Sequence, residues 1–294
     1  MSFTKSFPIP VRTIGPGSQS EDDGLDYMVM PRGMDTYRSP VLPEPEDMAR
    51  HHGTHDVLRA AIHALDRAHQ GLPTQPISVM GLSDADLTLL NQVLGEGEVS
   101  ARVQRDDGEV LVQESVFAGV WRVVHRRDGE AISDQLEVGR MPLAVLEAAS
   151  THQPLTGARR VRLTDGQASW PADVMNAPAI LNELEDHIAN WRPGQPVEVI
   201  NLTLLPLSPA DLAVIDQCLG QGSTVILSRG YGNCRITLSE VPHTWRLSYF
   251  NSQDTAILNT IEVTDIPDVA CAAREDLEDS LERLQEVLQW VQGG

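Results

Sequence analysis

Residues 83–97 read SDADLTLLNQVLGEG, and residues 208–222 read SPADLAVIDQCLGQG. The two stretches align without a gap at an offset of 125, with Ser, Ala, Asp, Leu, Gln, Leu and both glycines coinciding. Further on, Trp121-Arg122 answers Trp245-Arg246 after a one-residue slip. Glu137-Val138 and Pro142 then answer Glu262-Val263 and Pro267, back at the first offset. Three separated blocks matching in one order predict an internal duplication. A period of this length is that of a duplicated domain and is too long for a solenoid repeat.

The element string predicted for each copy is the same. A helix comes first, at 56–70 and 177–191, with Val57, Ala61, Leu65 and Ile180, Leu184, Ile188 at helical spacing. A short apolar strand follows, Ile77–Met80 or Val197–Leu202. The next helix starts at Ser83 or Ser208, a hydroxyl able to cap the first amides, with Asp86 or Asp211 three positions on. Pro209 suits a first helical position, where its missing N–H is no loss. Gly95 and Gly220 end these helices.

Four strands are then expected in the first copy, at 99–105, 109–116, 120–126 and 132–138, with Asp107-Gly108 and Asp128-Gly129 as hairpin turns. The second copy offers 223–229, 233–240, 244–250 and 257–264. A closing helix follows each meander. The predicted fold class is α+β, an internal duplication of a helix–strand–helix–antiparallel meander–helix unit. The last helix carries Leu277, Leu281, Leu284 and Leu288, a stripe too short for a coiled coil and expected to pack onto its own copy. Its other face is acidic.

The expected domains are residues 1–50, 51–149, 150–176 and 177–294. Pro8, Pro10, Pro16, Pro31, Pro40, Pro43 and Pro45 make residues 1–50 an extended Pro-rich N-terminal arm with no helical or alternating period. Met28, Met30, Met34, Tyr27 and Tyr37 give that arm apolar anchors for a body or a partner. Residues 51–149 form the first repeat and 177–294 the second. The linker at 150–176 is broken by Pro154, Gly157, Gly166 and Pro171.

Acids outnumber bases 42 to 22, for a net charge of −20. That sign argues against nucleic acid and anionic membrane as partners and leaves basic ones open. No stretch approaches the ~18 apolar residues of a membrane span, and the early residues lack a signal-peptide apolar core. Cys218, Cys234 and Cys271 are widely spaced and odd in number, as expected of reduced thiols in the cytoplasm. No nucleophile elbow, zincin motif, phosphate loop or dinucleotide fingerprint occurs, and Lys5 is the only lysine. An enzyme is therefore not expected, nor a bound cofactor. His51, His52, His55, His63 and His69 invite a nickel or zinc reading, but no Cys or carboxylate pair completes a ligand set at familiar spacing.

The second copy differs from the first at its turns. Gly230-Tyr231-Gly232-Asn233-Cys234-Arg235 stands where the first copy has Arg105-Asp106-Asp107-Gly108, and Tyr249-Phe250-Asn251-Ser252 where it has His125-Arg126-Arg127-Asp128. An aromatic flanked by glycines is the composition of a contact loop. Tyr231, Asn233, Arg235, Tyr249, Asn251 and Ser252 are the expected partner-binding residues. The two turns need not form one patch, since alternate turns of a meander often lie at opposite ends.

These loops, with Leu258–Val263 and Asp265-Ile266-Pro267, resemble the signature of the HupH/HyaF hydrogenase expression/formation proteins. Ile14–Gln19 and Met34–Glu46 are similar to that family's amino-terminal region. The resemblance implies a cytoplasmic, non-enzymatic chaperone in [NiFe] hydrogenase maturation. Its implied partner is the small, iron–sulfur subunit precursor before twin-arginine export, met alone or together with other maturation chaperones. The alternative is a nickel-handling accessory factor that uses the His51–His69 tract.

Overall fold

The computed structural model describes residues 51–150, 171–230 and 232–292, with side chains to residue 290. The expected arm (1–50), most of the linker and Tyr231 lie outside the described residues.

In chain order the elements are α1 (His52–His69), β1 (Ile77–Ser78), α2 (Asp84–Leu94), β2 (Val99–Arg105), β3 (Gly108–Glu114), β4 (Val120–Arg127), β5 (Glu130–Val138) and α3 (Leu143–Ser150). There follow α4 (Ala177–Asn190), β6 (Glu198–Asn201), α5 (Pro209–Leu219), β7 (Thr224–Ser228), β8 (Asn233–Leu238), β9 (Thr244–Phe250), β10 (Ala256–Val263) and α6 (Arg274–Gln292), with single 3-10 turns at Leu202–Leu204 and Asp268–Ala270. The fold is mixed α and β, dominated by antiparallel pairing.

The ten described strands join one sheet in the order β1-β5-β4-β3-β2-β7-β8-β9-β10-β6. The two meanders meet edge to edge, β2 against β7, with Ala101 opposite Ile226 at the centre of the ladder. Those two residues are 125 positions apart, the offset of the sequence match. Joining the meanders this way removes two long free edges that would otherwise invite aggregation.

The motif that opened the reading acts beyond its own helix. Ser208 Oγ accepts from Asp211 N at 3.0 Å, and Asp211 Oδ2 accepts from Ser208 N at 3.0 Å, a reciprocal capping box. Asp211 Oδ1 also accepts from the backbone N–H groups of Met175, Asn176 and Ala177 at 2.9, 2.8 and 2.9 Å. One carboxylate therefore caps α5 and seats the start of α4. Asp86 does the same more loosely, accepting from Ser83 Oγ at 2.6 Å and from Thr54 N and Oγ1 at 3.2 Å, where α1 begins.

The pleat sorts the sheet into two faces. On one, Arg122 donates to Asp134 on β5 and to Asn91 of α2, and Arg246 donates to Asn259 on β10 and pairs with Asp216 of α5. This helix face carries α1 and α2 over the β5 end and α4 and α5 over the β10 end. The opposite face carries α3, anchored by the Arg105–Glu147 ion pair, and the 268–270 turn, whose Val269 carbonyl accepts from Ser228 Oγ. Trp121 and Trp245 are both fully buried there, donating Nε1–H to the carbonyls of Gly139 and Asp265.

The expectation for the last helix fails. α6 lies along α1, and its Leu277 and Leu284 join one core that holds α1, α2 and β2–β5 together with Ile226, Ile236 and Leu247 of the second meander. Arg283 of α6 donates to the carbonyl of Val116 and stands over the Phe117 ring, both on the β3–β4 connection. At Gly119, in the left-handed region (φ 79°), a Cβ would overlap Leu277. A leucine stripe at heptad-like spacing meets any apolar helix equally well, so the stripe alone could not identify its mate.

Candidate partner-binding surface

The β8–β9 hairpin register places Asn233 opposite Phe250, Cys234 opposite Tyr249 and Arg235 opposite Ser248. The 229–232 and 251–255 turns therefore sit side by side at one end of the sheet, because the intervening 239–243 turn brings the chain back. The structure thus joins at one end the two turns that the sequence left apart. It also divides their side chains between the faces. Asn233, Arg235 and Phe250 lie on the helix face, and Cys234 and Tyr249 on the opposite one.

The predicted residues differ in how committed they already are. Asn251 Oδ1 accepts from Gln253 N at 2.9 Å and from Thr255 N at 3.0 Å, closing its own turn. Ser252 is exposed, whereas Asn233, Arg235 and Tyr249 are half-buried. The Tyr249 hydroxyl bonds the Cys234 thiol, and burial pushes that thiol up to about 12. Burial likewise pushes Cys271 up to about 12. Burial thus favours the neutral form of both thiols over the nucleophilic thiolate.

The loops lean on the first half of the chain. Arg229 donates from its backbone to the carbonyl of Glu98 at 3.1 Å and from its guanidinium to the carbonyl of Gly97 at 3.1 Å. Beside them lies Glu114, a buried carboxyl facing Trp121 where Leu238 faces Trp245. Burial pushes Glu114 up to about 7, despite the Gly119 N–H donated to it and with Glu98 and Asp276 raising it further. Glu262 is pushed up to about 7 as well, by burial and by Asp268.

The histidine tract does not converge. α1 puts His55 in the core and leaves His52 and His63 exposed, while His51 faces Asp86 at 3.5 Å. Among the described residues no three His, Cys, Asp or Glu side chains are grouped to hold a metal ion. Also among them, no helix is long and apolar enough to cross a membrane.

Sequence reasoning missed two features. Leu204 is 79% exposed on the 3-10 turn after β6. Ile200 is separated from the Ser208 cap by two residues more than Ile77 is from Ser83, and that extra length was the available signal. The second is the middle of the helix face, over which none of the described helices stands; no sequence pattern announces it because it depends on where helices land.

The fold is a sheet of two paired meanders carrying capped helices, and comparison with known proteins gives its family. The HupH hydrogenase expression protein C-terminal conserved region matches this chain twice, at residues 54–161 and 174–291. The chain belongs to that family. It is 54% identical to the hydrogenase expression/formation protein HoxQ of Cupriavidus necator, over 97% of this chain and 98% of that one. It is 42% identical to HupH of Rhodobacter capsulatus over 98% of this chain and 100% of that one. Against the hydrogenase-1 operon protein HyaF of Escherichia coli it is 34% identical over 95% of each. A solved HupH hydrogenase expression protein from Thiobacillus denitrificans aligns with 39% of this chain and 93% of its own, at 26% identity and a TM-score of 0.35. A role in hydrogenase maturation follows from the family.

Proposed function

We propose that this chain is a non-enzymatic chaperone of [NiFe] hydrogenase maturation that binds the small-subunit precursor in the cytoplasm before export. The observation that carries the reading is similarity over nearly the whole chain to proteins named for hydrogenase expression and formation. The net charge of −20 suits a basic export peptide. The repeated sequence blocks, the twofold family match and the ladder centred on Ala101 and Ile226 support reading the body as a duplicated unit. The contact residues in this reading are Tyr231, Asn233, Arg235, Tyr249, Asn251 and Ser252, in the stretches where one half has diverged in sequence from the other.

Copurification tests it. Tagged protein from hydrogenase-expressing cells retains small-subunit precursor, and failure to retain it refutes the chaperone reading. Tyr231→Ala with Arg235→Ala weakens that capture by at least ~30-fold, the equivalent of the ~2 kcal/mol that one true Tyr or Arg anchor carries. Asp106→Ala with Asp107→Ala at the corresponding turn of the other half leaves it unchanged. Equal loss from both pairs would remove these residues from the contact.

A further inference from the structure

We propose that the outer edge of β6 is a docking site for an extended cationic segment of another protein, which joins the sheet there as a further antiparallel strand. This does not depend on which partner the chain serves in hydrogenase maturation. β6 is the last strand of the sheet beyond β10. Thr264 N donates to the His243 carbonyl at 2.8 Å, continuing the β9–β10 ladder, so Glu262 and Thr260 bond β9 while Val263 and Ile261 bond β6. Asn259 N, one alternation further, reaches Thr203 Oγ1 at 2.7 Å on the β6 side. Glu198 and Ile200, paired with Val263 and Ile261, therefore turn their backbone groups inward. The N–H and C=O of Val199 and the N–H of Asn201 point away from the sheet. Apolar side chains gather at the same edge. Val199 is 48% exposed, Val197 just before it 40%, and Leu204 on the turn after β6 79%.

The other end of the sheet shows how this chain closes an edge. There Ile77 of β1 pairs with Leu136 as Ile200 of β6 pairs with Ile261, and Leu136 and Ile261 are 125 positions apart. Val79 N donates to the Asp134 carbonyl at 3.0 Å, so Ile77 bonds β5 and the residue before it takes the outward position. That residue is Pro76, which has no donor to offer and guards the edge. In β6 the corresponding residue is Val199, with its N–H intact.

Charge chooses the kind of strand. Glu198 lies on the helix face, where His187 of α4 stands between it and Glu183, at 3.8 and 3.7 Å. Residues 177–205 carry four carboxylates against one arginine and one histidine, in a chain of net charge −20. Val199 lies on the other face, beside Glu262. A strand laid antiparallel to β6 thus meets valine on one face and a carboxylate on the other. It fits best when aliphatic side chains alternate with Lys or Arg. A second copy fits badly. Self-pairing about Val199 would set the Glu198 of each copy one diagonal apart on the same face, between two bodies that each carry −20.

Fluorescence anisotropy with the full chain and a short labelled peptide of alternating valine and arginine tests the site. In the antiparallel pairing a peptide valine stands opposite Val199 and exchanges backbone bonds with it. N-methylation of the valines therefore weakens binding by at least ~10-fold, and N-methylation of the arginines leaves it within about twofold. Val199→Pro, which copies the guard at Pro76, lowers affinity for the unmethylated peptide by about fivefold or more, with the melting temperature read alongside. Should that variant melt early, the two methylated peptides on the unaltered chain decide. Equal weakening by both methylations means a charge contact without a strand and overturns the proposal, as does no binding at ~1 mM peptide. A dimer of this chain that Val199→Pro dissolves would assign the edge to a second copy and overturn it too.

Discussion

Replacing Asp211 by Asn tests whether one carboxylate holds two helices together. Asp211 is fully buried and accepts from four backbone N–H groups, those of Met175, Asn176, Ala177 and Ser208, and from the Ser208 hydroxyl. An amide of the same shape keeps one accepting oxygen. If that oxygen faces the three amides at the start of α4, the new NH2 group confronts Ser208 N–H, and two donors meet. Turned the other way, three donors are orphaned instead. A hydrogen bond to a charged group is worth about 1.5–3 kcal/mol net, and an orphaned buried donor costs about 1–3 kcal/mol. The expected loss is about 3–4 kcal/mol, allowing for relaxation. Asp86→Asn, at the looser and partly exposed site, should cost about 1 kcal/mol. Urea unfolding at pH 7 measures both. A loss at Asp211 within ~1 kcal/mol of wild type, or no larger than that at Asp86, would refute the assignment. The pH dependence adds a check. Burial by itself would raise this carboxyl, but the amides of Ala177, Ser208 and Asn176 outweigh it and hold it well below the ordinary range. Its stabilisation is thus complete above the ordinary aspartate value near 4 and is lost only as pH falls below it. Between pH 5 and 8 this group contributes no slope.

Glu114 should act in the reverse sense. A carboxyl raised to about 7 binds its proton more tightly folded than unfolded, so stability falls as pH rises from about 4.5 to 7, by on the order of 3 kcal/mol. Glu114→Leu, matching Leu238 of the other half, should remove that part of the slope and raise stability at pH 8; urea melts at pH 5 and 8 decide, with the slope from Glu262 remaining. Gly119→Ala combines a left-handed backbone with an overlap on Leu277 and should cost about 2–4 kcal/mol. Hydrogen exchange of α6 amides should speed up with it, and an unchanged α6 would show that the helix is not seated at Gly119.

The strands were legible because each is short, alternates at period two and is closed by turn chemistry such as Asp107-Gly108; the expected 99–105 and 244–250 match β2 and β9 residue for residue. The helix starts were legible through Ser83 and Ser208. The reach of Asp86 and Asp211 to the neighbouring helix was not, since capping is read locally and the second set of donors lies more than 30 positions away in the chain. Nor was the joining of β2 to β7, because an edge strand carries the same alternation whichever strand pairs with it. At the candidate surface, composition singled out two turns but could not see that Asn251 closes its own turn, nor that Tyr249 and Arg235 lie on opposite faces.

The crossing of α6 onto α1 sets an order on the birth of the protein. When residue 150 leaves the ribosome, every strand of the first meander exists, yet the flank of α1 that α6 covers still lacks that cover. Its cover is the last helix of the chain, about 140 residues later, and at 5–20 residues per second that is a wait of roughly 7–30 s. β2 meanwhile waits for β7. A chain stopped short of α6 therefore keeps an open core at α1, so a truncation that removes α6 is registered at a helix made long before it.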